Sequence, residues 1–273
     1  MRDALQPLLK LRADDIKLLA RLCGSTMTGP KAAPVEALDS TVRDRTRGLH
    51  KECLVTSVDL GIENIGVCQI RAPPWPATNG AKPVVERWFH YSLPRPFAHK
   101  FPIFADHALD LTQKLGFSDA FVLEKQRSRT AGSAAIPNSI LRVNVMEGMM
   151  FAALRLQHPN AVLQSVSPRS VVEFWRPAAE SSRGEPPGAK LSQGQMYKLA
   201  KRVRKSMVAS WRADEATSPL VFNHESTKSP KADDVNDALV QAYTWLIWRA
   251  NCAQLQANLR EGRKFRTLLQ EPK

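Results

Sequence analysis

Two β-branched apolar runs, CLVTSVDLG at residues 53–61 and IENIGVCQI at 62–70, follow one another at hairpin distance. Nothing else in the chain restricts its fold so tightly. Valine, isoleucine and threonine suit a pleated, half-buried surface, and two such runs joined by a short turn pair antiparallel. Gly61 allows the tight turn that lets Asp59 project from the sheet edge. A Pro-rich stretch, APPWPATNGAKP at 72–83, separates this hairpin from a third run, VVERWFHYSL at 84–93. Beyond it, apolar residues recur at helical spacing over 103–116 (Ile103, Phe104, Ala108, Leu111, Leu115). AFVLEKQ at 120–126 then reads as a buried fourth strand and AVLQSV at 161–166 as a fifth. Three consecutive strands followed by alternating helices and strands predict an α/β fold with a mixed five-stranded sheet flanked by helices, not a doubly wound one.

The remaining helices are expected over 139–157, from Ser167 with Pro168 at the first helical position, over the basic segment 195–211, and from about residue 232 onward. Residues 180–194 and 218–232 read as polar loops. Ahead of the sheet, residues 14–40 form two short helical patterns around a Gly/Ser/Thr/Pro turn, the first capped by Asp14 or Asp15. Residues 40–52 read as a polar linker. The expected organisation is therefore a small helical module at 1–45 and a main domain at 46–273.

At 273 residues and 43% hydrophobic composition, the chain can bury one sizeable core. Lys plus Arg outnumber Asp plus Glu by 39 to 26, a formal net charge of +13 that suits a polyanion, either nucleic acid or an anionic membrane surface. No apolar run approaches the roughly 20 residues that span a bilayer, so a membrane-spanning role is excluded. Cys23, Cys53, Cys68 and Cys252 are scattered, which argues against a zinc module and a disulfide framework and for reduced, buried thiols. The first residues lack the apolar core of a secretory signal, and no mitochondrial presequence is visible.

Against this basic background, KADDVNDALVQAY at 231–243 gathers three aspartates at the start of an apolar helix pattern. One is an ordinary cap, favoured by free amides and the helix dipole. Three need more. Asp233 and Asp234 lie four and three residues from Asp237, so either shares a helix face with it, and side by side they repel unless a divalent cation joins them. Asp234 lies nearer the apolar stripe of Val235, Ala238, Leu239, Ala242 and Leu246; spacing leaves the choice between it and Asp233 open. Asp59 closes the first strand. Glu124 closes the fourth after four apolar residues, where an ionised carboxylate is costly unless paired or metal-bound.

SVDLGIENIGVCQI, FVLEKQRSR and KADDVNDALVQAY, in that order, resemble the RNase H-like nucleases of the RuvC type, and more narrowly the fungal mitochondrial Holliday-junction resolvases. LRVNVMEGMMFA at 141–152 and SVSPRSVVEFW at 165–175 are close to the same pattern, and KLLARLCGSTMTGPKAAPVEAL at 17–38 resembles the SAP-like helix pair that precedes the nuclease domain. Pro34 departs from that pattern, where a helix-continuing residue is usual. The resemblance runs roughly from residue 17 to 250 and implies an RNase H-like nuclease domain behind a SAP-like DNA-binding module. It also implies structure-selective, metal-dependent hydrolysis of four-way DNA junctions in mitochondria. Two Mg²⁺ or Mn²⁺ ions would be held by Asp59, Glu124, Asp237 and one or both of Asp233 and Asp234. Hard oxygen donors without Cys or His suit those ions.

Lys125, Gln126, Arg127 and Arg129 flank the glutamate and are expected at DNA, as are Lys31 in the N-terminal module and Lys198, Arg202 and Lys205 on the basic helix. The family is homodimeric, and the helix at 139–157, with Ile140, Val143, Met146, Met150 and Leu154, is the expected interface. Two alternatives remain: a catalytically inactive protein that binds branched DNA, and an RNase H-like nuclease for RNA–DNA hybrids.

Overall fold

In chain order the elements are α1 (Ala13–Cys23), α2 (Ala32–Arg45), β1 (Cys53–Leu60), β2 (Asn64–Ala72), β3 (Val84–Ser92), α3 (Phe101–Leu115), β4 (Ala120–Glu124), α4 (Asn138–Gln157), β5 (Val162–Val166), α5 (Pro168–Ser181), α6 (Gln193–Ala213), β6 (Val221–Phe222) and α7 (Ala232–Arg260). The computed structural model describes residues 7–25, 32–61, 64–77, 80–93, 101–126, 138–181, 193–223, 232–265 and 269–271.

The hairpin lies at the heart of one mixed sheet of order β5-β4-β1-β2-β3-β6. β1, β2 and β3 form an antiparallel meander, while β4 runs parallel to β1 and β5 parallel to β4. The sheet thus has six strands, not five: β6 adds two residues parallel to Val84 and Val85 of β3. A pair of residues carries no periodicity, so sequence reads it as loop.

Strand alternation sorts side chains onto two faces. Val55, Ala120 and Val122 pack with Trp175, Val235, Ala238, Leu239, Trp245 and Trp248 on the side covered by α5, α6 and α7. Val58, Leu60, Phe121 and Leu123 pack with Phe104, Leu111, Met146, Met150 and Leu154 on the side covered by α3 and α4. By the same alternation Asp59, following Val55 and Ser57, and Glu124, following Ala120 and Val122, both face α7.

The helix pair α1–α2 does not stand apart. Leu8, Ile16, Leu19, Cys23, Val35, Leu38 and Val42 share a cluster with Cys252 and Leu255 of α7. α2 continues through Arg45 into the segment expected as linker, because Val42 and Arg45 are buried. The Arg45 guanidinium donates to the carbonyls of Cys23 and Gly24 and to Gln164 Oε1, and lies 4.9 Å from the Trp248 ring centroid. Arg249 on α7 returns bonds to the carbonyls of Arg45 and Arg47, at 3.2 and 3.1 Å. Pro34 is the third residue of α2, where the backbone N–H has no helical partner, so the helix tolerates it. Asp14 and Asp15 sit within the first turn of α1, and its N-cap is Arg12 without a side-chain bond. All four cysteines are free and buried. Among the described residues no helix is long and apolar enough to cross a membrane.

Candidate catalytic carboxylate site

The β1–β4 ladder ends at the pair Val58–Leu123, so Asp59 and Glu124 are the next residues on neighbouring strands. On its other side Asp59 pairs with Gly66 of β2. That glycine decides where α7 begins: a Cβ on it would run into the backbone carbonyl of Asp234, so its absence lets the helix start settle against the sheet beside Asp59. The Trp88 indole N–H donates to the Val235 carbonyl at 2.6 Å and fixes the same turn from β3. Further along, Gln241 reaches the Val122 carbonyl at 3.1 Å.

Four carboxylates meet there. Burial raises Asp59 well above the ordinary carboxylate range, reinforced by a side-chain hydrogen bond with Glu124 and by the charges of Glu124 and Asp234, against the pull of Arg204. Two carboxylates make such a bond only by sharing a proton. Burial also pushes Asp237 up to about 6, opposed by Arg204 and Lys201 and assisted by Asp59 and Asp234. Arg204 of α6 is buried, with Nε 3.2 Å from Asp237 Oδ1, an ion contact without hydrogen-bond alignment.

Asp233 faces elsewhere. Lys201 Nζ lies 3.1 Å and Lys205 Nζ 4.0 Å from its carboxylate, and the bond from Lys201 holds it below the usual range. α6 thus meets α7 with a buried guanidinium at Asp237 and two exposed ammonium groups at Asp233. Lys201 and Lys205 are drawn into this contact, whereas Lys198 and Arg202 are simply exposed on the same helix. Lys125 is exposed beside the glutamate. Gln126 donates its side-chain amide to the Leu60 and Glu124 carbonyls. Lys31, Arg127 and Arg129 lie outside the described residues.

Among the described residues no three acids, histidines or cysteines are gathered at one centre in ligand geometry. The acids are held pairwise, Asp59 with Glu124 and Asp237 with Arg204. The donor set still fits a hard divalent cation: all oxygen, partly desolvated, and mutually repulsive until a proton or cation joins it. Asp59, Glu124, Asp234 and Asp237 could supply its ligands. The anchors Gly66 and Trp88 carry no chemistry visible in sequence. Arg204 had a signal: it lies four residues before the apolar Val208, on the inward stripe of an otherwise solvated basic helix.

A mixed sheet with this strand order, bearing acids at the ends of β1 and β4 and at the start of the covering helix, defines an RNase H-like α/β domain of the RuvC type. The family model described as "Mitochondrial resolvase Ydc2 / RNA splicing MRS1" matches residues 55–227, more than half of the chain, and the chain belongs to that family. It is 24% identical over 251 residues to "Cruciform cutting endonuclease 1, mitochondrial" of Schizosaccharomyces pombe, covering 85% of this chain and 90% of the relative. The protein of the same name from Saccharomyces cerevisiae is 21% identical over 247 residues, 72% of this chain and 69% of that one. The crystal structure of the yeast mitochondrial Holliday junction resolvase Ydc2 superposes with a TM-score of 0.60 at 20% identity, covering 92% of this chain and 99% of that chain.

The α4 face expected at a dimer interface is spent internally: Val143, Met146, Met150 and Leu154 belong to the chain's own core. The outward stripe is instead Leu141, Val145, Gly148, Ala152 and Leu156, with Leu141 50% and Leu156 84% exposed.

Proposed function

We propose that this chain is a mitochondrial Holliday-junction resolving endonuclease that cuts phosphodiester bonds with divalent metal held by Asp59, Glu124, Asp234 and Asp237. One observation carries the reading: in a chain of the resolvase family, Asp59 is bonded to Glu124 at neighbouring strand ends and lies within reach of the charges of Asp234 and Asp237 at the start of α7. Mg²⁺ or Mn²⁺, as a pair of ions, fits the donor set, and such ions supply water activation and stabilisation of the leaving oxygen. The chain's own residues do the rest. Arg204 offsets part of the negative charge, so the acids can stay grouped when no metal is bound. Lys198 and Arg202, with Lys201 and Lys205, present a cationic helix flank for backbone phosphates, and Lys125 adds a charge beside Glu124. The segment at 1–45 serves as the second, DNA-binding module.

Four-way junctions have two-fold symmetry, so paired incision calls for two sites and a homodimer. The outward stripe of α4 supports that assembly: Gly148 and Ala152 permit close helix approach between the larger Leu141 and Leu156. The family's name also covers RNA splicing, which makes structured RNA the substrate to set against the junction. Purified protein with Mg²⁺ or Mn²⁺ and a four-way junction, a linear duplex, an RNA–DNA hybrid or structured RNA discriminates the readings. Paired nicks confined to the junction, lost in Asp59→Asn with junction binding kept, are expected. Metal-independent binding without cleavage, or preferential cutting of the hybrid, would overturn the proposal.

A further inference from the structure

The β1–β4 ladder stops one residue short of the acids: Val58 pairs with Leu123, while Asp59 and Glu124 are laddered outward, to Gly66 of β2 and Val166 of β5. Across the gap between β1 and β4 at this end, the tie is made by a side chain. The side-chain amide of Gln126 spans that open end, donating to the Leu60 carbonyl at 3.1 Å and the Glu124 carbonyl at 3.3 Å. Both amide hydrogens are thereby used inside the protein. Gln126 is itself held, because its backbone N–H donates to Glu147 Oε2 at 3.2 Å. The other oxygen of Glu147 accepts from the Ser165 hydroxyl of β5 at 2.8 Å, and the Lys125 N–H donates to the Val166 carbonyl at 2.7 Å. Glu147 projects from the middle of α4, next to the outward residue Gly148.

We propose that Glu147 and Gln126 are positioning residues for the carboxylate site. Glu147 anchors the segment after Glu124, and Gln126 clamps the ends of the two strands that carry Asp59 and Glu124. The clamp holds those two acids at the spacing the metal requires. It ties the site to α4, so the placement of that helix, and of any second copy seated on its outward stripe, is transmitted to Glu124 through one carboxylate. The inference rests on the metal-dependent reading above. It assigns Gln126 an internal role, where its position beside Glu124 suggested a contact to DNA.

The test compares the full-length protein with Glu147→Ala, Glu147→Gln and Gln126→Met, using Mn²⁺ as the probe. Three quantities are read: the rise in melting temperature on adding Mn²⁺, the Mn²⁺ concentration for half-maximal junction cleavage, and junction binding in EDTA. Loss of an outer-sphere partner typically weakens metal affinity about 10- to 100-fold. Glu147→Ala and Gln126→Met should therefore shift the Mn²⁺ midpoint by about that factor and shrink the Mn²⁺-induced stabilisation, with metal-free junction binding within about twofold of wild type. Glu147→Gln keeps one acceptor oxygen and should fall between. Wild-type Mn²⁺ curves in Glu147→Ala and Gln126→Met would overturn the brace. A wild-type protein that neither responds to Mn²⁺ nor cuts junctions would instead overturn the functional reading beneath it. Because Gln126→Met changes only a half-exposed loop side chain, it keeps the test decisive should Glu147→Ala prove unstable.

Discussion

Asp233 and Asp237 stand one helical turn apart and meet opposite surroundings, and this difference is measurable. Asp237 titrates near 6, because burial and the charges of Asp59 and Asp234 outweigh Arg204 and Lys201. A carboxyl raised in the folded state binds its proton more tightly there than in the unfolded chain. Its contribution to stability is therefore complete below about pH 4 and is lost as pH rises through about 6. Asp237→Asn mimics the protonated form. Without metal it should melt higher than wild type at pH 7, by up to about 3 kcal/mol in stability, with the gap closing between pH 6 and pH 4. A gap that is flat or widens on acidification, read by calorimetry in EDTA, would contradict this charge arrangement. In the same window Mn²⁺ binding should weaken as the ligands protonate. Asp234→Asn should abolish cleavage. Asp233→Asn breaks only half-exposed ion pairs with Lys201 and Lys205, so it should cost less than about 1 kcal/mol and leave the metal curve near normal. The two acids look alike in sequence because helical spacing relates both to Asp237. What separates them are Lys201 and Lys205, some thirty residues upstream on another helix.

At the scale of elements, the site depends on how α7 lands on β2. The landing point is Gly66, opposite Asp59 and beneath the Asp234 carbonyl. Gly66→Ala should lift the first turn of α7, costing about 1–3 kcal/mol from overpacking. It should also weaken Mn²⁺ binding more than it weakens junction binding; equal losses in both would point to general unfolding. The elements themselves were largely legible. β-branched and apolar runs marked β1 to β5, and apolar spacing, the Ser167-Pro168 start and the basic and aspartate-led segments marked α3 to α7. Where sequence reading stopped short, the cause is tertiary. α2 extends into polar residues because Arg45 finds carbonyl partners and Trp248 within the fold. On α4, apolar residues lie on two faces, one core and one outward, and composition gives no means of choosing between them.

For the molecule as a whole, the open question is whether the helix pair α1–α2 is an appendage or a structural part of the main domain. Its short length argues for an appendage, and residues 1–45 alone bury too little to fold. The contacts argue otherwise. At about 1.5 Å per residue, Cys252 lies roughly 22 Å along α7 from Asp237, and the helix pair covers this far half of the helix. Cys252 and Leu255 have no exposure, Trp248 is nearly as buried, and the two parts are cross-linked by Arg249 donating to the Arg45 carbonyl, Asn251 to the Leu22 carbonyl and Arg45 to Gln164 Oε1. Removing residues 1–45 would bare an apolar stripe on α7 and take from Arg249 and Asn251 their acceptors at Arg45 and Leu22. Exposing large core side chains costs several kcal/mol, about 3–5 for a buried Trp truncated to Ala. For a domain of this size the melting temperature of a 46–273 chain should drop by about 10 °C or more. Its junction cleavage, assayed well below that transition, should keep its Mn²⁺ midpoint, because the described residues of 1–45 pack against the far half of α7 around Cys252 and Leu255. Circular dichroism melts of the two chains, paired with Mn²⁺ titrations at low temperature, test both halves of this expectation. An unchanged melting temperature would make the helix pair a detachable module after all. A lost Mn²⁺ response in a folded truncated chain would mean that the far half of α7 transmits its packing to the site.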